Sequence, residues 1–322
     1  MIGKRFTGLM VAVAVVAVSG CTRQAGPPAP VGTPGLQASS SFPLTVTDAL
    51  GQQITLPRPP QRIISLAPSL TEIIFGLGLG EKLVGVTEFC LYPPEALRKE
   101  KIGGYVNASQ EKIVSLRPDI VLATRGTPTS FMDGLRKFGL AVMAVDQTSY
   151  DQVIASMESI AQVCGVPEAG RKLGDELRHV RQEITAKTQS LRADQRPRAL
   201  LVLSLQPLFV GGPGSFQREI LEACGATEVS GLQKPFGALS EEAVVAADPQ
   251  VVIFPSNDNG RIVTVDGQLK RLRASAAWRN VAAVKESRII VVNVDYISIP
   301  GPRLVLGFRE LARQLHPELF GR

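Results

Sequence analysis

Short apolar runs alternate with amphipathic stretches along most of this chain. Arg62–Leu66, Leu83–Val86, Ile120–Ala123 and Val142–Val145 are apolar and of strand length. Between them, Leu70–Leu77, Gln110–Leu116 and Phe131–Phe138 carry helical spacing. Ser69 with Glu72 three positions later reads as a capping box. Strand–helix alternation of this kind predicts a parallel sheet. Before it, Phe42–Leu56 alternates around Asp48-Ala49-Leu50-Gly51, the pattern of a small hairpin.

A helical stretch over Ser149–Val163 leads to Gly165 and then to a longer one, Pro167–Gln195. Leu173, Leu177, Val180, Ile184 and Leu191 recur there at near-helical spacing, with charges between them. Pro167 suits a first turn. Such a helix would be about 40 Å long. Beyond it the alternation resumes. Strands are predicted at Arg198–Leu203, Val251–Phe254 and Ile289–Val294, and helices at Phe216–Ala223 and Arg303–Leu315.

The two flanks of the long helix echo each other. Ser109–Leu122 matches Ser240–Ile253, with Ser, Glu, Pro and the apolar positions coinciding. Glu72-Ile73-Ile74 has a counterpart in Glu219-Ile220-Leu221, and the strand ending at Asp146 in the one ending at Asp295. A duplicated unit explains this. The fold class is therefore α/β, with two Rossmann-like lobes, each built on a parallel sheet, joined by one long α-helix. The expected lobes are 42–147 and 197–322, with connecting helices over 148–196.

The amino terminus has a different pattern. Lys4 and Arg5 precede an apolar stretch, Leu9–Val18, and then Val18-Ser19-Gly20-Cys21. Charged start, short apolar centre and small residues describe a secretion signal over 1–20. The cysteine directly after it resembles the bacterial lipobox, which implies lipidation of Cys21 and anchoring outside the cytoplasmic membrane. Residues 21–41, rich in Pro, Gly, Ala and Ser, read as a disordered tether.

Charge and composition add exclusions. The 322 residues carry 35 Lys and Arg against 29 Asp and Glu, and removing Lys4 and Arg5 takes the formal charge from +6 to +4. The cations are interleaved with acids, so no nucleic-acid arm is expected. His179 and His316 are the only histidines. They lie away from the strand ends, so neither a histidine metal cluster nor a triad is expected. Gly211-Gly212-Pro213-Gly214-Ser215 fits neither the P-loop nor the dinucleotide spacing and reads as a turn. No catalytic residue, resident cofactor or metal is assigned. Beyond Cys21, three cysteines remain, Cys90, Cys164 and Cys224, and their spacing selects no pair.

Ligands of open parallel sheets bind beyond the carboxyl ends of the strands. Those ends offer Ala67-Pro68-Ser69, Thr87-Glu88-Phe89, Thr124-Arg125 and Asp146 in the first lobe. The second offers Gln206-Pro207-Leu208-Phe209, Pro255-Ser256-Asn257 and Asp295-Tyr296. Facing each other across a cleft, these rims would suit a mid-sized organic ligand.

Ser65–Glu72, Leu83–Thr87, Tyr92–Ala96, Ile102–Asn107, Lys112–Leu122 and Pro300-Gly301-Pro302-Arg303 together resemble the cobalamin-binding proteins of bacterial ABC importers. The likeness runs from Phe42 to Leu319 in order. It implies a monomeric receptor that captures a corrinoid between its lobes and delivers it to a permease dimer with ATPase subunits. Family ligand contacts map onto Phe89, Tyr105, Phe209, Phe236 and Asp295, beside Arg125 and Tyr296 from the strand ends. The glutamates through which the family docks on its transporter map onto Glu111 and Glu242. Ile299 departs from the family, standing where an arginine is common. A ferric siderophore or haem receptor of the same architecture is the alternative. An enzyme using the cleft and an envelope scaffold with a filled cleft are further ones.

Overall fold

In the computed structural model, residues 41–105, 107–258 and 260–321 are described. The secretion signal, most of the tether and Cys21 lie outside them. The described chain opens with the expected hairpin, β1 (Leu44–Thr47) and β2 (Gln53–Leu56), antiparallel with Leu44 opposite Leu56. Asp48 fixes its turn. The carboxylate accepts from the amides of Leu50 and Gln52, and from that of Ala144 in the neighbouring sheet.

The first sheet contains β3 (Ile63–Ser65), β4 (Leu83–Val86), β5 (Ile120–Thr124) and β6 (Val142–Val145). Their order is β4-β3-β5-β6, all parallel. The connecting helices are α1 (Pro68–Gly76), α2 (Gln110–Ser115) and α3 (Thr129–Lys137). Side chains alternate between two cores, as the period of a strand requires. Ile64, Val121, Ala123, Val142 and Ala144 join Met132 and Leu135 of α3. Ile63, Ile120, Leu122, Met143 and Val145 face the other way.

Two helices follow, α4 (Tyr150–Val163) and α5 (Pro167–Thr188). Ser149 and Gln152 form a capping box at the start of α4. Gly170 lets α5 approach α4 closely, since a Cβ there would stand 2.3 Å from that of Ala161. The long helix is shorter than its periodicity predicts. It has 22 residues, about 33 Å, and stops at Thr188 rather than Gln195. Arg196 turns back to donate to the carbonyls of Thr188 and Leu191, and the Thr188 hydroxyl donates to Ala223. The Arg196 bonds satisfy carbonyls that further helix would have used, and the Thr188 bond ties the end of α5 to the helix over Phe216–Ala223. Leu191 thus belongs to a turn.

The second sheet is mixed where a purely parallel one was expected. Strand β7 (Arg198–Leu205) folds back on β8 (Leu208–Gly211), which pairs antiparallel with β10 (Phe236–Ala238). β9 (Thr227–Glu228), β11 (Val251–Pro255) and β14 (Ile289–Val292) extend the sheet in parallel. A small hairpin, β12 (Asn257–Asp258) and β13 (Arg261–Ile262), stands apart. The helices are α6 (Phe216–Ala223), α7 (Glu241–Ala247), α8 (Val265–Ala274), α9 (Ala282–Lys285), α10 (Val294–Ser298), α11 (Leu304–Leu315) and the short α12 (Pro317–Phe320).

The echo extends to side-chain contacts. Ser109 and Ser240 each cap their helix, accepting from Lys112 and Ala243 amides at 3.2 Å. Arg62 donates to the carbonyls of Leu116 and Arg117 at the end of α2. Arg198 does the same to Ala247 and Asp248 at the end of α7. Arg117 and Asp248 both take positive φ, 45° and 40°, each just before a proline. The same local solution, built twice, is what duplication leaves.

The halves do not have wholly separate cores. Ala199, Leu201, Val251, Ile253, Ile290 and Val292 of the second sheet share one apolar cluster with the inner face of the first. Helices α1, α4, α5, α6 and α11 fill the space between. The halves are thus joined through packed helices as well as through α5.

Candidate functional site

The two sheets end at an open cleft of about 550 Å³. Its first-lobe wall comes from the ends of β5 and β6 and the start of α1. Its second-lobe wall comes from β7, β8, β10 and the start of α6. The segment Ser298-Ile299-Pro300 closes the floor. The volume lies in the usual range for an organic ligand.

Four of the seven residues assigned to the ligand line it, Tyr105, Arg125, Phe209 and Phe236, as do Ala67, Pro68, Ser69, Thr124 and Asp146 of the strand-end rims. Phe209 and Phe236 lie nearly parallel, 8° apart with centroids at 6.5 Å, because β8 and β10 pair beside each other. They supply two parallel aromatic rings to the second-lobe wall. Tyr105 shares a 2.7 Å hydrogen bond with Thr124. Gly126 leaves room for it, as a Cβ there would stand 2.7 Å from the tyrosine oxygen.

Arg125 donates to Asp146 at 2.9 Å. Burial opposes ionisation of Asp146. The hydroxyl and amide of Thr148, with Arg125, outweigh it and hold the carboxyl below its usual range. Among the described residues lining the cleft, these are the only charged side chains, and they cancel.

The other three predicted residues stand elsewhere. Phe89 is 59% exposed, with its ring near Gly104, and does not line the cavity. Asp295 and Tyr296 face Arg303. Its guanidinium donates twice to Glu72, at 2.5 and 2.9 Å, and more weakly to Asp295 at 3.3 Å. It sits 4.0 Å from the Tyr92 ring centroid and 5.6 Å from that of Tyr296. Burial pushes the Glu72 carboxyl above its usual range, against the pull of Arg303. The Ser69–Glu72 capping box is therefore not formed: Ala67 is the N-cap of α1, without a side-chain bond. Both side chains reach outward instead, Glu72 to Arg303 and Ser69 to Gln147 at 2.8 Å.

Sequence reasoning missed Gln147, Gln217 and Ser298, which also line the cleft. Gln147 lies one residue beyond a recognised strand end. Gln217 follows the Gly-rich turn and gives no signal of its own. Glu111 and Glu242 are exposed on the first turns of α2 and α7. Hydrogen bonding from Ser240 and from its own amide holds Glu242 below the usual carboxylate range. Cys90, Cys164 and Cys224 are buried free thiols. Among the described residues no cluster could hold a metal, and no helix is long and apolar enough to cross a membrane.

A profile described as periplasmic binding protein matches residues 63–296. An ABC transporter substrate-binding lipoprotein, YvrC of Bacillus subtilis (strain 168), is 32% identical over 290 residues, 88% of this chain and 89% of that protein. The crystal structure of the periplasmic vitamin B12 binding protein BtuF of Vibrio cholerae superposes with a TM-score of 0.68 at 28% identity, covering 80% of this chain and 97% of that one. The apo periplasmic heme-binding protein RhuT of Roseiflexus sp. RS-1 gives 0.68 at 27% identity, covering 80% and 98%. The matched profile spans most of the chain, and the two-lobed architecture is shared, so the chain belongs to the periplasmic binding protein family as a substrate-binding protein of an ABC transporter.

Proposed function

We propose that the cleft captures a corrinoid such as cobalamin and that the protein, as a monomer anchored through lipidated Cys21, passes it to a permease dimer powered by ATPase subunits. The observation that carries this reading is the charge balance of the cleft. Arg125 and Asp146 neutralise each other, and the described lining offers no other charge. An anionic ligand finds no spare cation there. A corrinoid is a flat macrocycle with neutral amides at its edge, and its metal arrives already chelated. The parallel rings of Phe209 and Phe236, with Tyr105, suit such a face. The vitamin B12 binding relative supports the same ligand.

A haem or ferric siderophore is the second reading, and Arg125 favours it. Its side chain is 60% exposed, so a ligand carboxylate can compete with Asp146 for it. Calorimetric titration of the purified protein with cobalamin, haem and a ferric siderophore separates the two. Saturable heat with cobalamin alone is expected. Silence with cobalamin and tight binding of either iron ligand would select the second reading.

Docking is assigned to Glu111 and Glu242. Exposed carboxylates at repeated positions, one per half, suit arginines on a permease and favour orientation and rate of encounter. The double variant Glu111→Ala, Glu242→Ala should lose vesicle uptake and keep ligand affinity. A fall in affinity with uptake per bound ligand unchanged would remove the assignment.

A further inference from the structure

Two glutamines line the cleft, and the fold uses them differently. Gln147 is engaged at both ends. Its oxygen accepts from Ser69 at 2.8 Å, and its nitrogen donates to Ser156 and to the Pro300 carbonyl, each at 3.0 Å. It holds the end of the first sheet to the returning carboxyl-terminal segment. Gln217 is only 4% exposed, yet its carboxamide oxygen has no partner. The Ser298 hydroxyl, also at the cleft, is likewise buried without one.

A buried amide oxygen without a donor is a standing cost to the folded state. Native proteins rarely carry one without a reason, and of the three such side-chain atoms among the described residues, on Gln217, Gln268 and Ser298, two belong to the ligand cleft. Its backbone is well held. Ser215 caps α6, and the Phe216 amide donates across the cleft to the Thr148 carbonyl at 2.7 Å. Rotation about the Gln217 side-chain torsions presents its oxygen to the cavity without breaking any hydrogen bond that oxygen makes. Gln147 would have to break three.

We propose that Gln217 is a specificity-determining residue whose carboxamide oxygen accepts an N–H from a primary amide on the ligand edge. This rests on the corrinoid reading of the cleft, because a corrinoid carries such amides and haem does not. An amide supplies the missing donor. A carboxylate at the same place has no hydrogen to give that oxygen, which stays unpaired even where the carboxamide turns its nitrogen to the ligand. Gln217 therefore selects amide-bearing ligands over their hydrolysed acids, and the Ser298 hydroxyl is positioned on the same lining to take a second polar group.

The test titrates wild type and Gln217→Leu with cobalamin and with cobalamin whose edge amides have been hydrolysed to carboxylates. The melting temperature of each unliganded protein is measured alongside. Gln217→Leu is expected to bind cobalamin about tenfold more weakly and to lose most of the preference over the acid form. Its unliganded melting temperature should hold or rise, because the orphaned oxygen is gone. Gln217→Met provides the same readout should the leucine variant fail to fold. Unchanged cobalamin affinity with a lowered melting temperature would make Gln217 a packing residue and overturn this inference alone. Failure of the wild type to bind cobalamin would overturn it together with the reading beneath it.

Discussion

Two arginines meet carboxylates at the cleft and at the seam beside it, in very different settings. Arg303 is 12% exposed at its side chain, bound twice by Glu72, flanked by Asp295 and covered by Tyr92. Arg125 is 60% exposed and holds Asp146 by one nitrogen. Both sites combine Arg, Asp and Tyr, the vocabulary of a ligand site. The difference lies in how many directions each group is held from. Arg303 ties α1 of the first half to the segment between α10 and α11 of the second, so its setting is that of a clamp. Arg125 retains a free face beside open volume, so its setting is that of a receptor wall. Residue type alone does not separate a clamp from a site.

The comparison is sharpest at Arg303, where the largest effect is expected. Arg303→Ala leaves the Glu72 carboxylate 2% exposed with its partner gone. Removing one member of a buried pair costs about 3–5 kcal/mol. Urea unfolding should show a loss of that size, while Arg125→Ala should lose under about 1 kcal/mol, as an exposed pair does. Equal losses in the two variants would erase the distinction drawn between them.

Much of the frame was legible because both sheets are covered on both faces. Val142–Val145 and Leu83–Val86 read as strands to the residue. The edge strand β10 was not legible. Phe236-Gly237-Ala238 is three residues with no period, and only its pairing with β8 makes it a strand. Yet that pairing builds the Phe209–Phe236 wall, so half of the site depended on a contact no local pattern announces. Ser69 and Glu72 were legible as polar residues at a helix start. Their partners, Gln147 and Arg303, lie 78 and 231 residues away, and local capping logic could not find them. Asp295 and Tyr296 were read as a strand end, but β14 stops at Val292 and both stand on α10. Both face Arg303, eight residues beyond Asp295, and not the cleft.

The smallest effect concerns the wall itself, through pH. The folded state holds Asp146 below its usual 3.8, so the folded protein binds fewer protons there than the unfolded chain as pH approaches that value. The stabilisation from Asp146 is then fully present above pH 3.8 and is lost as pH falls through the lowered folded value. Asp146→Asn removes this titration. The stability difference between wild type and Asp146→Asn should stay flat from neutral pH down to about pH 5 and shrink only below pH 3.8. Because Arg125 is mostly exposed, salt should reduce its share of the difference, whereas the Thr148 bonds should survive. A difference that changes near neutral pH would mean that Asp146 titrates high, as a carboxylate does when burial outweighs its bonds. The cleft would then contain an uncompensated cation in Arg125, and its neutrality, on which the choice of an amide-edged ligand depends, would fail with it.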